Sequence, residues 1–178
     1  MFGLSVTLII SSFFLFIFLS ILFWSFKNGI SPMPTSPFVK KKLLAIPCSF
    51  SQGKVYELGS GWGTLAFAFA KKYPEREVEA FETSLVPYLF SRFRLYCFPQ
   101  KNLHFHRIDF FSVPLQDAVL VICYLYPKAM EKLKDKFDRE LPLECIVLSH
   151  TFAVPGLPPI EQIVLGDLYR TKIYVYKW

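Results

Sequence analysis

The sequence predicts an α/β domain, a mostly parallel sheet with helices on both faces, preceded by one transmembrane helix. Three observations predict it: an uncharged apolar run at the N-terminus, short apolar runs alternating with helical periodicity over the rest of the chain, and a glycine-rich turn directly after the first strand. With 178 residues, 53% hydrophobic and 18% aromatic, the chain can build one core without disulfides, and no second domain is expected. The divisions fall at 1–27 for the anchor, 28–46 for a proline-rich linker with a short helix, and 47–178 for the α/β domain.

The anchor comes first. Leu4 to Phe26 is 23 residues without a charge, longer than the ~20 that span the hydrocarbon core as a helix. Sixteen of them are Leu, Ile, Phe or Val, which together favour insertion by about 5 to 10 kcal/mol. A cleaved signal peptide, the competing reading, would begin with basic residues and end in small ones, whereas this segment ends in Phe23, Trp24 and Phe26. Lys27 and the run Lys40, Lys41, Lys42 follow it, so the positive-inside rule puts the domain on the cytoplasmic side, or the matrix side in a mitochondrion. The formal charge of +6 therefore lies wholly after Phe26. Such basicity suits an anionic membrane surface, an acidic partner or nucleic acid, or simply keeps the surface solvated.

Residues 28–37 hold three prolines and a glycine and read as an extended linker leaving the membrane. Phe38 to Ile46 forms a short helix with Val39, Leu43, Leu44 and Ile46 toward the domain. Strands are expected at 55–58, 78–82, 103–108, 118–124, 146–149, 163–165 and 172–176, with helices at 64–73, 85–98 and 128–141. Pro127 suits a first helical position, and Met130, Leu133, Phe137 and Leu141 give the last helix its buried stripe. No convincing helix separates the final two strands, which implies a terminal antiparallel hairpin. Cys48, Cys97, Cys123 and Cys145 show no CxxC pair and no histidine at ligand spacing; they read as buried small hydrophobes, with no metal expected.

The chemistry is carried by Glu57-Leu58-Gly59-Ser60-Gly61-Trp62-Gly63, between the first strand and a helix. Glycines there let the backbone turn sharply and approach a ligand where a Cβ would collide. The dinucleotide pattern GxGxxG fails, because Thr64 stands where its third small residue belongs. Glu82 ends the second strand, about the ~20 residues onward where such sheets place a ribose-binding carboxylate, although most glutamates are merely solvated. Asp109 and Phe110 end the third strand; alone, Asp109 would form an Asx turn.

The spacing E-x-G-x-G-x-G resembles motif I of class I S-adenosylmethionine-dependent methyltransferases. With SPMPTSPFV, LVPYLFSRFR, the DFF after the third strand, YLYPKAMEKLK and LSHTFAVPG, nearly the whole chain resembles the small membrane-anchored group that includes the mitochondrial ATP synthase c-subunit lysine methyltransferase and bacterial relatives. The resemblance implies a Rossmann-like class I sheet and S-adenosylmethionine as cofactor. It places Glu57, Gly59, Gly61 and Gly63 around the methionine portion, Glu82 on the ribose, and Asp109 with Phe110 at the adenine. Glu57 and Trp62 stand where Asp residues are common in that group, a departure that touches cofactor affinity more than fold.

The reactive end of the site should lie past the carboxyl ends of the central strands, at Tyr124, Tyr126 and Pro127 and at His150 and Thr151. A lysine acceptor must be neutral, and at pH 7 only about one in 2,500 is, so aromatic walls that desolvate it help. Tyr124 and Tyr126 are the candidates for those walls, unless one of them is core; His150 would take a proton or only hydrogen-bond. The expected partners are the bilayer and an integral membrane protein as substrate, with no nucleic acid, since no NPPY-like tetrapeptide follows the fourth strand. A lipid or small-molecule acceptor and a non-catalytic scaffold remain the alternatives. Deleting residues 1–27 is expected to spare cofactor binding while reducing methylation in cells.

Overall fold

The computed structural model describes residues 2–29, 31–48 and 52–178; Met1, Ile30 and residues 49–51, which fall in the expected anchor, linker and domain start, lie outside the described residues. Helix α1 (Phe2–Asn28) is followed by α2 (Pro37–Ala45), β1 (Lys54–Leu58), α3 (Thr64–Lys72), β2 (Val78–Phe81), α4 (Leu85–Cys97) and β3 (Leu103–His106). After a short 3-10 turn at Phe110–Ser112 come β4 (Ala118–Cys123), α5 (Pro127–Glu140), β5 (Ile146–His150), β6 (Glu161–Val164) and β7 (Lys172–Lys177). Every expected element is present, with ends displaced by one or two residues.

The seven strands form one sheet in the order β3-β2-β1-β4-β5-β7-β6. β1 to β5 run parallel, as the intervening helices require. The last two strands do form an antiparallel hairpin, but it folds back so that β7 pairs β5 and β6 takes the edge. The burial patterns explain the order: β4 is buried at all six positions and lies centrally, while β6 is mostly exposed.

Side chains alternate between two cores, one on each face. Leu120 and Ile122 of β4 join Leu65, Phe69 and Leu43 under α2 and α3; Val121 and Cys123 face Met130, Leu133 and Phe137 of α5. The cysteines are free, and two are buried as expected, but Cys48 is half-buried and Cys97 is exposed near the end of α4, a correction to the reading of all four as core.

α1 is long and apolar enough to cross a membrane over Ser5–Asn28. Its large side chains, among them Phe14, Phe18 and Phe23, are exposed rather than packed in a core, so it is not a core helix of the domain. The linker departs from expectation: instead of running free, residues 31–35 lie across the carboxyl edge of the sheet, with the Trp62 Nε1 donating to the Pro32 carbonyl at 2.5 Å. A proline-rich composition specifies an extended chain and says nothing about what that chain rests on.

Gly63 begins α3 with φ 71°, and a Cβ there would come within 2.8 Å of the Phe105 ring and 3.0 Å of Ser91 Oγ. Gly63→Ala is therefore expected to destabilise the fold by about 1–3 kcal/mol through left-handed strain and overpacking. A thermal melt in detergent checks this, and an unchanged midpoint would refute the packing role.

Candidate cofactor and active site

The sheet order reverses between β1 and β4, and a cavity of about 450 Å³ opens past the carboxyl ends of the strands at that switch point. The turn after β1 is built by its neighbours. The N–H groups of Gly59 and Ser60 donate to the Phe81 carbonyl at 3.0 and 2.8 Å, which ties the turn to the end of β2. Glu82, one residue further, accepts from the Gly61 N–H at 2.8 Å and from the Ser84 N–H at 2.7 Å. Its carboxylate is thereby held at the cavity wall before any ligand arrives.

The three loop glycines divide their work. All have positive φ, but a Cβ on Gly61 would meet nothing within 4 Å, whereas one on Gly59 would strike Leu125 at 2.8 Å and one on Gly63 strikes Phe105. Only Gly61 turns its open side to the cavity; Gly63 does not line it. Equal spacing in sequence hid unequal roles.

Glu57 is buried at the base of the loop, and burial pushes its carboxyl up to about 8, with the nearby Glu82 charge adding to the effect and a hydrogen bond from the Ala66 N–H opposing it. Its Oε2 and the Ser60 Oγ are buried without a partner. Two orphaned polar atoms beside a cavity are costly unless a polar ligand completes them, which fits a cofactor with an amino acid end. Asp109 and Phe110 also line the cavity, and the Asp109 Oδ1 accepts from the Phe111 N–H at 3.0 Å. The Asx-type turn is thus present, and the second carboxylate oxygen remains for a ligand.

Tyr124 and Tyr126 both line the cavity, half-buried after β4. His150 does not: it lies behind Tyr124, stacked at 4.1 Å between centroids, with its Nε2 3.4 Å from Thr35 Oγ1 and its Nδ1 3.4 Å from Thr151 Oγ1. Thr151 holds φ 73°, uncommon for a β-branched residue, where the chain turns off β5. Burial pushes the His150 imidazole down to about 4, so it is neutral at physiological pH and supports the Tyr124 ring.

The sign of the consequence is fixed. A histidine whose folded pKa lies below its unfolded ~6.5 costs stability as pH falls from there toward 4, by at most about 3 kcal/mol. Glu57, raised in the fold, acts oppositely over part of that range, so the difference between proteins is the useful quantity. His150→Phe keeps a ring against Tyr124 and is expected to flatten the loss between pH 6.5 and 4, read from urea midpoints. Parallel curves for the two proteins would refute it.

Sequence reasoning missed the wall supplied from the N-terminus. Trp24, Lys27 and Asn28 of α1 and residues 31–35 line the cavity. Asn28 Nδ2 donates to Thr83 Oγ1 and Ser84 Oγ at 3.0 and 3.1 Å, so the end of α1 is fastened to the start of α4. Gly29 lies so close to the Tyr126 ring that a Cβ would sit 3.0 Å from it. In the sequence Trp24 reads as the aromatic end of the apolar run and Lys27 as a charge that sets sidedness, which concealed this second use.

A sheet in this order, with its last-numbered strand reversed and its cavity at the switch point, defines a class I methyltransferase fold. An RNA methyltransferase of Salinibacter ruber, solved with S-adenosyl-L-homocysteine, shares the fold with a TM-score of 0.72 at 22% identity, over 82% of this chain and 93% of that one. The sequence model of the ANTKMT methyltransferase domain matches residues 57–161, more than half of the chain. The chain belongs to that family, whose methyltransferase domain implies S-adenosylmethionine as its cofactor. The adenine nucleotide translocase lysine N-methyltransferase of Mus musculus is 32% identical over 64% of this chain, which spans half of that protein's length. A protein-lysine N-methyltransferase of Saccharolobus islandicus (strain REY15A) is 28% identical over 85% of this chain and 96% of its own.

Proposed function

We propose that this protein transfers a methyl group from S-adenosylmethionine to a lysine side chain of an integral membrane protein. The observation that carries this reading is the pair Tyr124 and Tyr126 on a cavity wall completed by the end of an apolar helix. The lysine methyltransferases among its relatives support the acceptor class.

When bound, the cofactor supplies an electrophilic methyl group on a cationic sulfur. Glu57 and Ser60 hold its amino acid end, the open side of Gly61 admits its close approach, Glu82 takes the ribose hydroxyls, and Asp109 with Phe110 takes the adenine. Tyr124 and Tyr126 strip water from the incoming ammonium group, which favours its neutral, nucleophilic form, and hold the alkylated product through cation–π contact. His150, neutral and buried, keeps Tyr124 in place. Orientation and exclusion of water then supply most of the rate.

The test is to incubate the full-length protein and labelled cofactor with membranes from its own source and to locate the label by mass spectrometry. Label on a lysine of a membrane protein is expected; label confined to lipid would replace the reading. Removing residues 1–27 is a second test, with a revised expectation. That deletion takes Trp24 and Lys27 from the cavity wall, so it is expected to weaken cofactor binding as well as to lower methylation in cells by tenfold or more through lost proximity. Full methylation by the truncated protein would show that proximity does not select the substrate.

A further inference from the structure

α4 buries one side and leaves the other largely exposed among the described residues, where only Phe90 meets a ring, that of Trp62 at 5.3 Å. Pro87 and Ser91 are buried, and Tyr88 and Leu95 pack against the core, whereas Leu89, Phe90, Phe93 and Tyr96 are exposed, with Phe98 just beyond the helix. Phe93, Tyr96 and Phe98 are 65%, 84% and 68% exposed. The positions 89, 93 and 96 share one helical face, so these side chains form a stripe rather than a scatter. Contiguous exposed apolar surface of this kind marks an interaction site. α4 carries Arg92 and Arg94 and no acidic residue.

The surroundings say what covers the stripe. α1 packs against α4, and the Asn28 side chain is hydrogen-bonded to Thr83 and Ser84 at the start of α4. The shielded residues of α1, namely Ile17, Ser20, Ile21, Trp24, Ser25 and Asn28, fall on one side at helical spacing and extend about 16 Å back from its end. An element packed on the end of a membrane-spanning helix sits at the depth of the lipid headgroups, where aromatic and arginine side chains both have suitable surroundings.

We propose that α4 is a second membrane contact, its outward face bedded in the headgroup layer of the bilayer that α1 crosses; this rests on the reading of α1 as a membrane span. The apolar stripe faces the acyl boundary, and Arg92 lies among anionic headgroups. The domain is then docked on the surface rather than suspended from a tether.

Site-directed spin labelling of the full chain in mixed phosphatidylcholine and phosphatidylglycerol vesicles tests it. In a Cys48→Ser background one nitroxide is placed on the native Cys97. In a background that also carries Cys97→Ser, one is placed at each of Phe93→Cys, Phe14→Cys in α1 and Leu143→Cys before β5. Labels at 93 and 97 are expected to relax more with oxygen than with a water-soluble nickel chelate, as the label at 14 does, with the order inverted at 143. Labels at 93 and 97 that behave like 143 while 14 stays in lipid overturn the α4 contact and leave the anchor standing; an aqueous label at 14 overturns the anchor itself. Labels at 93 and 97 shielded from both reagents and broadened by spin–spin coupling would mean that a second copy of the chain covers the stripe, which also overturns the proposal.

Discussion

Gly61→Val should reduce S-adenosylmethionine affinity by at least a hundredfold while leaving the protein folded. The open side of Gly61 gives onto the cavity, and a β-branched side chain there fills space the ligand needs. The same substitution strains a backbone with φ 53°, at about 1–2 kcal/mol, well within the stability of a domain of this size. Calorimetry and a thermal melt on one preparation separate the two effects. Affinity within threefold of the parent would move the methionine end of the site elsewhere. Gly63→Ala is the contrast, because its added carbon enters the Phe105 contact and not the cavity.

Cofactor affinity should also rise with pH, approaching tenfold per unit from about pH 6 and levelling near 8. In the free protein the Glu57 carboxyl, pushed up to about 8 by burial, is mostly protonated at pH 7. Pairing with the ammonium group of the cofactor favours the carboxylate, so binding must release a proton below that value and is opposed in proportion to the proton concentration. Glu57→Gln should bind more weakly at pH 8 and show no such slope. Calorimetry in buffers of different ionisation enthalpy measures the proton directly; binding at pH 6.5 without proton release would refute the pairing.

The order of elements was legible in the sequence because burial on both faces writes strands as unbroken apolar runs such as Ala118–Cys123, and the helix α5 as a clean stripe. The placement of β7 between β5 and β6 was not legible, since no local pattern distinguishes an edge strand that returns from one that continues outward. Glu82 stands at the offset where such sheets carry a carboxylate, Glu57 and Asp109 come from the family resemblance, and all three line one cavity. Of the two readings of His150, the structure shows hydrogen-bonding contacts to Thr35 and Thr151 and a stacked Tyr124 ring: a histidine at a strand end looks the same in sequence whether it faces a ligand or backs a tyrosine. Trp62 gains a role from its bond to the Pro32 carbonyl, a contact 30 residues away in sequence that composition cannot reveal.

The hydrogen bonds from Asn28 to Thr83 and Ser84 tie the end of α1 directly to the wall of the cavity. A flexible leash would let the enzyme sample a hemisphere of positions above its attachment point. If α1 crosses a bilayer and the acceptor is a lysine of a membrane protein, as proposed, the tie through Asn28 makes the anchor a gauge of height, and an acceptor would be chosen by how far its lysine stands from the plane of the bilayer. Sequence around that lysine would then matter less than elevation, and proteins of unrelated sequence with a lysine at the same level would be equivalent targets.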